Sequence, residues 1–381
     1  GGPGDTACGD WLATELQAAG YAVRRHVFEV PFFEAAETTL TAGDARAEVI
    51  PQAIVVPTPT EGIEAPLAVR TAWTPDQTYD GAIVLVVLPY RRWSTAVADE
   101  PRKTVQAVLT AGASAVVLVT TGPSGQALAL NAPADRPLFD RPVAVIAPRD
   151  AGPLLAAAAR GERGRLTITG RSGRRPAFNL VGERRAGAGP GLVLSTPRSG
   201  WFDCAGERGG GVAAWLALAR WAPQGLPGRP LTLLATSGHE YESHGGEVFL
   251  GAEAPPPRNT GLWVHLGANV AARDWAEIGP ARPLPSPDPQ RVLMVSAPLV
   301  PAARRLFAGQ PGLENVLAAD PARSAGELSN ILAHGYGEVA GVFGVHRLHH
   351  AQGDDLACTH PQGALMAAEA FRDLIAERFS A

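Results

Sequence analysis

The chain has 381 residues, of which 46% are hydrophobic and 18% are charged. This length and composition are sufficient to bury a large core, and they favour two domains over one. The formal net charge of −4 provides no large basic field, so neither a nucleic acid nor an anionic membrane is expected as a partner.

The N-terminal half predicts a helix, an extended region and a compact α/β unit. The helix is expected to begin with Asp5 as its N-cap and to end at Gly20. Strands are predicted over 21–31, 38–56, 82–88, 115–119, 142–146 and 165–169, and further helices over 104–111 and 150–160. Continuous apolar runs that alternate with helices are typical of strands covered on both faces.

The C-terminal half repeats this alternation after a linker at 171–175. Strands are predicted over 191–195, 231–236, 261–266, 291–296 and 338–343, proline-rich loops over 254–258 and 283–289, and an amphipathic helix over 361–379. The pattern indicates an α/β protein with a doubly wound mixed sheet, helices on both faces and a smaller inserted α/β domain. We assign residues 1–45 and 173–381 to the main domain and 46–172 to the insert.

Polar side chains collect where the C-terminal strands end. In open α/β sheets, ligands bind beyond the carboxyl ends of the strands. The strand over 191–195 leads into the polar segment 196–208, and the strand over 231–236 leads into 238–244. The last strand is followed by His346, His349, His350, Asp354 and Asp355. This concentration of histidines and carboxylates is the clearest functional signal that the residues give by themselves.

The His239/His244 pair and the glycines at 209–211 could each have a purely structural role instead of a role in ligand binding. His239 and His244 are five positions apart, which places them about 140° apart on an α-helix, so they do not share a zinc ion without a bulge. The glycines at 209–211 predict close packing of a helix on a strand. Alternatively, they form an anion site at a helix N-terminus with Arg198 or Arg208 beside it.

Four segments together resemble the co-catalytic zinc aminopeptidase family. This family includes bacterial leucyl aminopeptidases, glutamate carboxypeptidase, glutaminyl cyclases and the transferrin receptor ectodomain. The segments are Asn179–Gly182, Gly206–Trp215, Gly238–Tyr241, and His350 with Asp354. The resemblance covers essentially the whole chain, and it implies the family's fold, a protease-associated-like domain at 46–172 and a peptidase-type activity.

The same resemblance implies that most zinc ligands of the family are replaced. The family's first histidine falls on Thr196, its bridging aspartate on Glu207, its glutamate ligand on Tyr241, its second aspartate on Gly267, its last histidine on His350 and its general base on Glu240. A catalytic zinc ion usually needs about three protein ligands, and two ions also need a shared carboxylate. We therefore expect no metal cofactor. Zinc is the alternative, held by Glu207 and His350 with His239, His244, His349 or Asp203.

These observations predict a hydrolase of small amide or peptide-like substrates with a degenerate, metal-free site. Glu240 is the expected general base or acid, assisted by His350 and His239, and the expected substrate-binding residues are Arg198, Arg208, Tyr241 and Ser199. One alternative is a non-catalytic pseudo-peptidase that binds a ligand or protein, and another is a conventional zinc aminopeptidase. A protein partner or homo-oligomer contact through the inserted domain stays open.

The number and spacing of the cysteines indicate whether the protein works in a reducing or an oxidising compartment. Cys8, Cys204 and Cys358 cannot build a disulfide framework, and none of them belongs to a C-x-x-C pair. This favours a reducing compartment such as the cytoplasm. Secretion stays open, because the sequence does not begin with methionine and a leader could precede it. No apolar run approaches the ~20 residues of a membrane span.

Overall fold

The computed structural model describes residues 1–185, 187, 189–276 and 281–380. The chain forms two compact units. The first comprises Gly1–Glu29, Pro176–Arg347 and Asp354–Ala381, and the second comprises Val30–Arg175 and Leu348–Gly353. The predicted division into a main domain and a protease-associated-like insert over 46–172 stays a prediction.

The first unit is built on a mixed sheet with helices on both faces. Its helices are α1 (Pro3–Ala18), α4 (Gly210–Gly225), α5 (His244–Ala252), α6 (Val300–Leu306), α7 (Glu327–Ala333) and α8 (Pro361–Ser380). Its strands are the start of β1 (Ala22–Ala42), the end of β7 (Arg163–Arg184), β8 (Gly191–Pro197), β9 (Leu231–Thr236), β10 (Thr260–Leu266), β11 (Arg273–Trp275), β12 (Pro283–Pro287), β13 (Arg291–Val295), β14 (Leu317–Ala318) and β15 (Val339–Gly344). The order in the sheet is β7–β9–β8–β10–β15–β13–β14, and β9, β8, β10 and β15 run parallel.

Strand β8 illustrates why these strands read as unbroken apolar runs. Leu192 and Leu194 pack into the core that also contains Trp215 of α4, whereas Val193 packs into a second core with Phe249 of α5. Because successive side chains of a strand point to opposite faces, a strand with helices on both sides buries every position. The predicted doubly wound α/β architecture is therefore confirmed.

The second unit has its own α/β organisation. It contains the rest of β1 and β7, with β2 (Ala45–Pro51), β3 (Ile63–Arg70), β4 (Ile83–Val87), α2 (Asp99–Thr110), β5 (Ala115–Val119), β6 (Val143–Ile146) and α3 (Pro148–Ala159) between them. Strands β3 to β6 run parallel in the order β6–β5–β4–β3, and β2 and β7 flank them antiparallel. Two apolar cores cover the two faces of this sheet.

Several local predictions differ from the structure. The linker predicted at 171–175 lies inside strand β7, which continues from Arg163 to Arg184. Helix α1 begins at Pro3 with Gly2 as its cap, so Asp5 lies in the first turn, where it accepts a hydrogen bond from Ser237. The extended region at 38–56 is a hairpin, because Gly43 takes a left-handed conformation between β1 and β2. The proline-rich segment after 282 forms strand β12. Within the described residues, no helix is long and apolar enough to cross a membrane.

Candidate active site

The carboxyl ends of three parallel strands lie side by side in the first unit. Strand β8 lies between β9 and β10 and runs parallel to both, so Pro197, Thr236 and Leu266 end at the same edge of the sheet. The segments that follow these strands carry most of the polar residues that the sequence singled out. A ligand site is expected at this edge.

The turn that leads from β8 into α4 is held by a buried aspartate. Asp354 accepts hydrogen bonds from the backbone N–H groups of Gly206 (2.7 Å) and Glu207 (3.0 Å), and its carboxylate lies 3.2 Å from Nε2 of His346. A Cβ atom at Gly206 would lie 2.6 Å from the Asp354 carboxylate, so only glycine fits there. Asp354 thereby fixes the turn of π-helix, 205–209, that carries Glu207 and Arg208.

Arg208 is the centre of a buried cluster of charges. Its Nη2 atom lies 2.6 Å from Oε1 of Glu207 and 3.5 Å from Oε1 of Glu240, and its Nε donates to the backbone carbonyl of Ser199 at 2.8 Å. The Ser199 hydroxyl donates to Oε2 of Glu240 at 2.7 Å. Burial acts to lower the pKa of Arg208, but the negative charges of Glu207 and Glu240 outweigh it and the pKa is raised.

A cavity of about 300 Å³ borders this cluster. Its wall includes Ser199, Arg208 and Cys204, together with Asp203 and Arg198. Nη1 of Arg208 is buried and has no hydrogen-bond partner within the described part of the chain. A buried N–H without an acceptor is costly, so this nitrogen is suited to donate to a ligand oxygen.

Arg198 has a different set of partners, although it lines the same cavity. Its guanidinium donates to the backbone carbonyls of Ala235 (3.1 Å) and Phe178 (2.8 Å), lies 3.3 Å from Asp5 and covers the Phe178 ring at 4.5 Å. These contacts connect Phe178 within β7 to Ala235 near the end of β9. Its predicted contact with substrate stays a prediction.

A second buried network contains residues that the sequence interpretation did not single out. Glu327, the first residue of α7, accepts a hydrogen bond from Thr236 (2.6 Å) and lies 3.1 Å from Nδ1 of His239. His265 lies 3.9 Å from the same carboxylate, and burial lowers its pKa to about 4. His265 is a polar residue within an otherwise apolar strand, and this pattern could have identified it as a candidate site residue. Glu327 follows none of the strands that the sequence predicted, so it gave no such signal.

The other predicted site residues lie in separate surroundings. The Tyr241 ring packs edge-on against Trp201, and the His244 ring packs edge-on against Phe28. His349 and His350 stack on each other, with ring centroids 4.0 Å apart, in the segment 348–353 of the second unit. The structure therefore joins Ser199, Glu207, Arg208 and Glu240 directly in one cluster.

Comparison with known proteins identifies the fold. No protein-family model matches the sequence, and no curated protein matches it. BSAP, a zinc aminopeptidase from Bacillus subtilis, matches with a TM-score of 0.73 at 14% identity, over 98% of this chain and 88% of that chain. The chain has the zinc aminopeptidase fold. A peptidase M28 precursor from Shewanella amazonensis SB2B gives a TM-score of 0.72 at 16% identity, over 99% and 88% of the two chains. An aminopeptidase from Aneurinibacillus sp. strain AM-1 gives 0.64 at 13% identity, over 98% and 88%.

Two of the positions to which the family resemblance assigns zinc ligands, Thr196 and Gly267, carry no carboxylate or imidazole. The hydroxyl of Thr196 donates to the carbonyl of Leu266 at 2.8 Å, and a Cβ atom at Gly267 would lie 2.5 Å from the carbonyl oxygen of Val342. Neither position therefore offers an anionic ligand. Two adjacent metal ions need several anionic ligands to offset their mutual repulsion.

The binding of a single metal ion needs fewer ligands than the binding of two. Glu207 in the first unit, and His349 and His350 in the second, offer the carboxylate and imidazole donors that zinc accepts. Glu207 is also in contact with Arg208 at 2.6 Å. Any ion bound by Glu207 would therefore have to share this carboxylate with a guanidinium.

Proposed function

We propose that the chain is a peptidase-like hydrolase of small amide or peptide-like substrates, with a metal-free site in which Glu240 is the general base. The likeness of the fold to aminopeptidases supports the reaction class. One observation supports the metal-free site and the role of Glu240. Arg208 is a permanently charged, buried group in contact with Glu207 and Glu240. The resemblance assigns a metal ligand to the position of Glu207 and the general base to that of Glu240.

The arrangement provides the groups that amide hydrolysis needs. Glu240 takes a proton from a water molecule as the water oxygen attacks the substrate carbonyl carbon. Nη1 of Arg208 donates to the carbonyl oxygen, which becomes negatively charged in the transition state. The carbon–nitrogen bond then breaks as the leaving nitrogen receives a proton. Ser199 orients the Glu240 carboxylate through its 2.7 Å hydrogen bond.

An arginine in place of a metal ion changes how the attacking water is activated. A metal ion binds water directly and lowers its pKa, whereas a guanidinium only stabilises negative charge nearby. The water must therefore be activated by Glu240 alone, and removal of this carboxylate should abolish turnover.

The test is the Glu240→Gln variant, assayed with aminoacyl 4-nitroanilides, dipeptides and N-acetyl amino acids. We expect turnover by the wild type, a loss of kcat of about 10²- to 10⁴-fold in the variant, and no effect of chelators. Glu369→Gln, an exposed change on α8, is the matched control and should behave as the wild type. Unchanged turnover in Glu240→Gln would contradict the proposal.

Two alternatives keep an observation in their favour. Glu240 is already engaged by Arg208 and Ser199, as in a non-catalytic binding scaffold. A thermal shift with some of these compounds but turnover of none would favour that function. The carboxylate of Glu207 and the imidazoles of His349 and His350 are donor types that zinc accepts, and they favour a zinc enzyme. Stoichiometric zinc in elemental analysis, with activity lost to a chelator, would establish it.

A further inference from the structure

We propose that Ser199 is the catalytic nucleophile of this site, and that its hydroxyl oxygen attacks the substrate carbonyl carbon and forms an ester before water is used. The inference rests on the proposed function and deepens it. Glu240 acts first on the Ser199 hydroxyl and afterwards on the attacking water. The same order of steps supplies the proton that the leaving nitrogen needs.

Ser199 and Glu240 have the geometry of a nucleophile and its base. The Ser199 hydroxyl donates to Oε2 of Glu240 at 2.7 Å, and both residues are buried. A serine hydroxyl is a weak nucleophile by itself, and it becomes a strong one when a base within about 2.6–3.2 Å takes its proton during the attack. The Ser199 proton already points at a carboxylate that can take it.

Arg208 holds this pair in place. Its Nη2 atom lies 3.5 Å from Oε1 of Glu240, while the other carboxylate oxygen accepts from Ser199. Its Nε donates to the backbone carbonyl of Ser199 at 2.8 Å, so one guanidinium contacts both the base and the residue that carries the nucleophile. A nucleophile, a base and a third group that orients the base are the parts of an activated-nucleophile site.

The cavity of about 300 Å³ brings the nucleophile together with a donor for the oxyanion. Ser199 and Arg208 both line it. Nη1 of Arg208 is buried and has no hydrogen-bond partner among the described residues. When Ser199 attacks, the carbonyl oxygen of the substrate becomes negatively charged, and a charged N–H donor beside it stabilises this oxygen. A substrate carbonyl in this cavity therefore meets both groups that the attack requires.

The backbone around Ser199 fixes its oxygen and leaves it able to attack. Ser199 lies two residues beyond the end of β8, and the backbone N–H of Arg198 donates to the carbonyl of Thr236 in β9 at 2.9 Å. The Ser199 oxygen accepts a hydrogen bond from the backbone N–H of His239 at 3.3 Å. Because a hydroxyl oxygen has two lone pairs, the second one is available for the carbonyl carbon.

Atoms and protons balance over two half-reactions. In the first, the Ser199 oxygen bonds to the carbonyl carbon as its proton passes to Glu240, and Glu240 gives this proton to the leaving nitrogen as the carbon–nitrogen bond breaks. In the second, water attacks the resulting ester as Glu240 takes a proton from it. The bond between the carbon and the Ser199 oxygen then breaks, and the proton passes from Glu240 to Ser199. The products are an amine and a carboxylic acid.

Ser237 is the matched comparison for Ser199. It is another buried serine at a strand end, one residue beyond β9, and its hydroxyl also donates to a carboxylate, that of Asp5, at 2.6 Å. Ser237 does not belong to the described residues that line the cavity at Arg208. A serine whose hydrogen bond to a carboxylate is purely structural is expected to behave as Ser237 does.

The first experiment treats the full chain with an alkyl fluorophosphonate, in which the attacking oxygen bonds to phosphorus and fluoride leaves. Intact-mass and peptide mass spectrometry locate the adduct. We expect one adduct, on Ser199, in the wild type and in Ser237→Ala, and no adduct in Ser199→Ala. Labelling of Glu240→Gln should be at least about 100-fold slower. An unlabelled Ser199 in the wild type overturns the inference, whether or not the variants fold.

The second experiment tests for the ester during turnover. An aminoacyl 4-nitroanilide and a dipeptide with the same N-terminal residue share an acyl group but differ in the leaving group. Both are hydrolysed in the presence of hydroxylamine. A common ester on Ser199 gives the same ratio of hydroxamate to acid from both substrates, and we expect this result. Unequal ratios, or hydroxamate from neither substrate, indicate direct attack by water and overturn the inference.

Kinetics separate the inference from the proposed function. Ser199→Ala should lower kcat about 10²- to 10⁴-fold, as Glu240→Gln does, and an unchanged kcat overturns the inference. Turnover that depends on Glu240, with Ser199 unlabelled, supports the proposed function and removes the nucleophile. A labelled Ser199 without turnover of any probe removes the proposed amide substrates and supports the nucleophile.

Discussion

Two buried arginines ten positions apart, Arg198 and Arg208, have opposite electrostatic surroundings. Burial lowers the pKa of Arg198, because its main partners are neutral backbone carbonyls and Asp5 compensates only in part. The pKa of Arg208 is raised despite burial, because Glu207 and Glu240 lie beside it. Both side chains line the same cavity, and both were predicted from the sequence to bind substrate.

The difference shows that residue type and burial do not define a site. A guanidinium that donates to backbone carbonyls fastens neighbouring segments together, whereas one held by two carboxylates maintains a cluster of charges. Only the second arrangement gathers two carboxylates around one buried guanidinium at the strand ends. The Arg208 region is therefore the better candidate for chemistry, and the following predictions test this contrast.

The largest effect is expected from Arg208→Met. Removal of the guanidinium leaves Glu207 and Glu240 as buried carboxylates without their cation, which costs about 3–5 kcal/mol of unfolding free energy. Urea unfolding followed by circular dichroism measures this loss. Arg208→Lys, which keeps the charge but not the planar fork, should recover part of it. A loss no larger than that of Arg198→Met would remove the distinction between the two regions.

The next effect concerns His265, which is buried in β10 beside Glu327. Its pKa is about 4 in the folded protein and near 6.5 when unfolded. Between these values the unfolded chain binds a proton that the native chain does not. The stability contribution is therefore complete above about pH 6.5 and is lost as the pH falls towards 4, by about 3 kcal/mol in all.

The His265→Asn variant isolates this contribution. The amide of asparagine can donate or accept a hydrogen bond, so it can replace the contact of Nδ1 with the Ser195 hydroxyl, but the side chain does not titrate. Unfolding free energies at pH 7.5, 6.0 and 5.0 should fall less steeply for the variant than for the wild type. Parallel curves would show that His265 is not the group responsible.

The smallest effect is expected from Arg198→Met. It removes two hydrogen bonds to backbone carbonyls and the contact with Asp5, and we expect a loss of about 1–3 kcal/mol. Any activity found should keep its kcat at temperatures where the variant is folded. A selective loss of kcat or a rise in KM would return Arg198 to the substrate-binding residues.

Much of the fold follows from local sequence patterns. The predicted strand 191–195 begins where β8 begins and ends two residues before it, and the strand 231–236 agrees with β9 at both ends. Buried strands need continuous apolar runs, and these are visible in the sequence. Helix starts and strand ends are less certain, because caps and turns depend on contacts from other segments. Asp5, for example, is fixed by Ser237, which lies more than 230 positions away.

The sequence by itself determined the α/β class, the buried strands that form continuous apolar runs, and the positions at which polar residues follow these strands. Tertiary structure alone decided which of these residues meet: Arg208 with Glu207 and Glu240, and His239 with Glu327. The reason is physical. The periodicity of apolar residues indicates which face of an element is buried. An ion pair or a hydrogen bond depends on distances of about 3 Å between side chains of distant segments, and no local pattern encodes these distances.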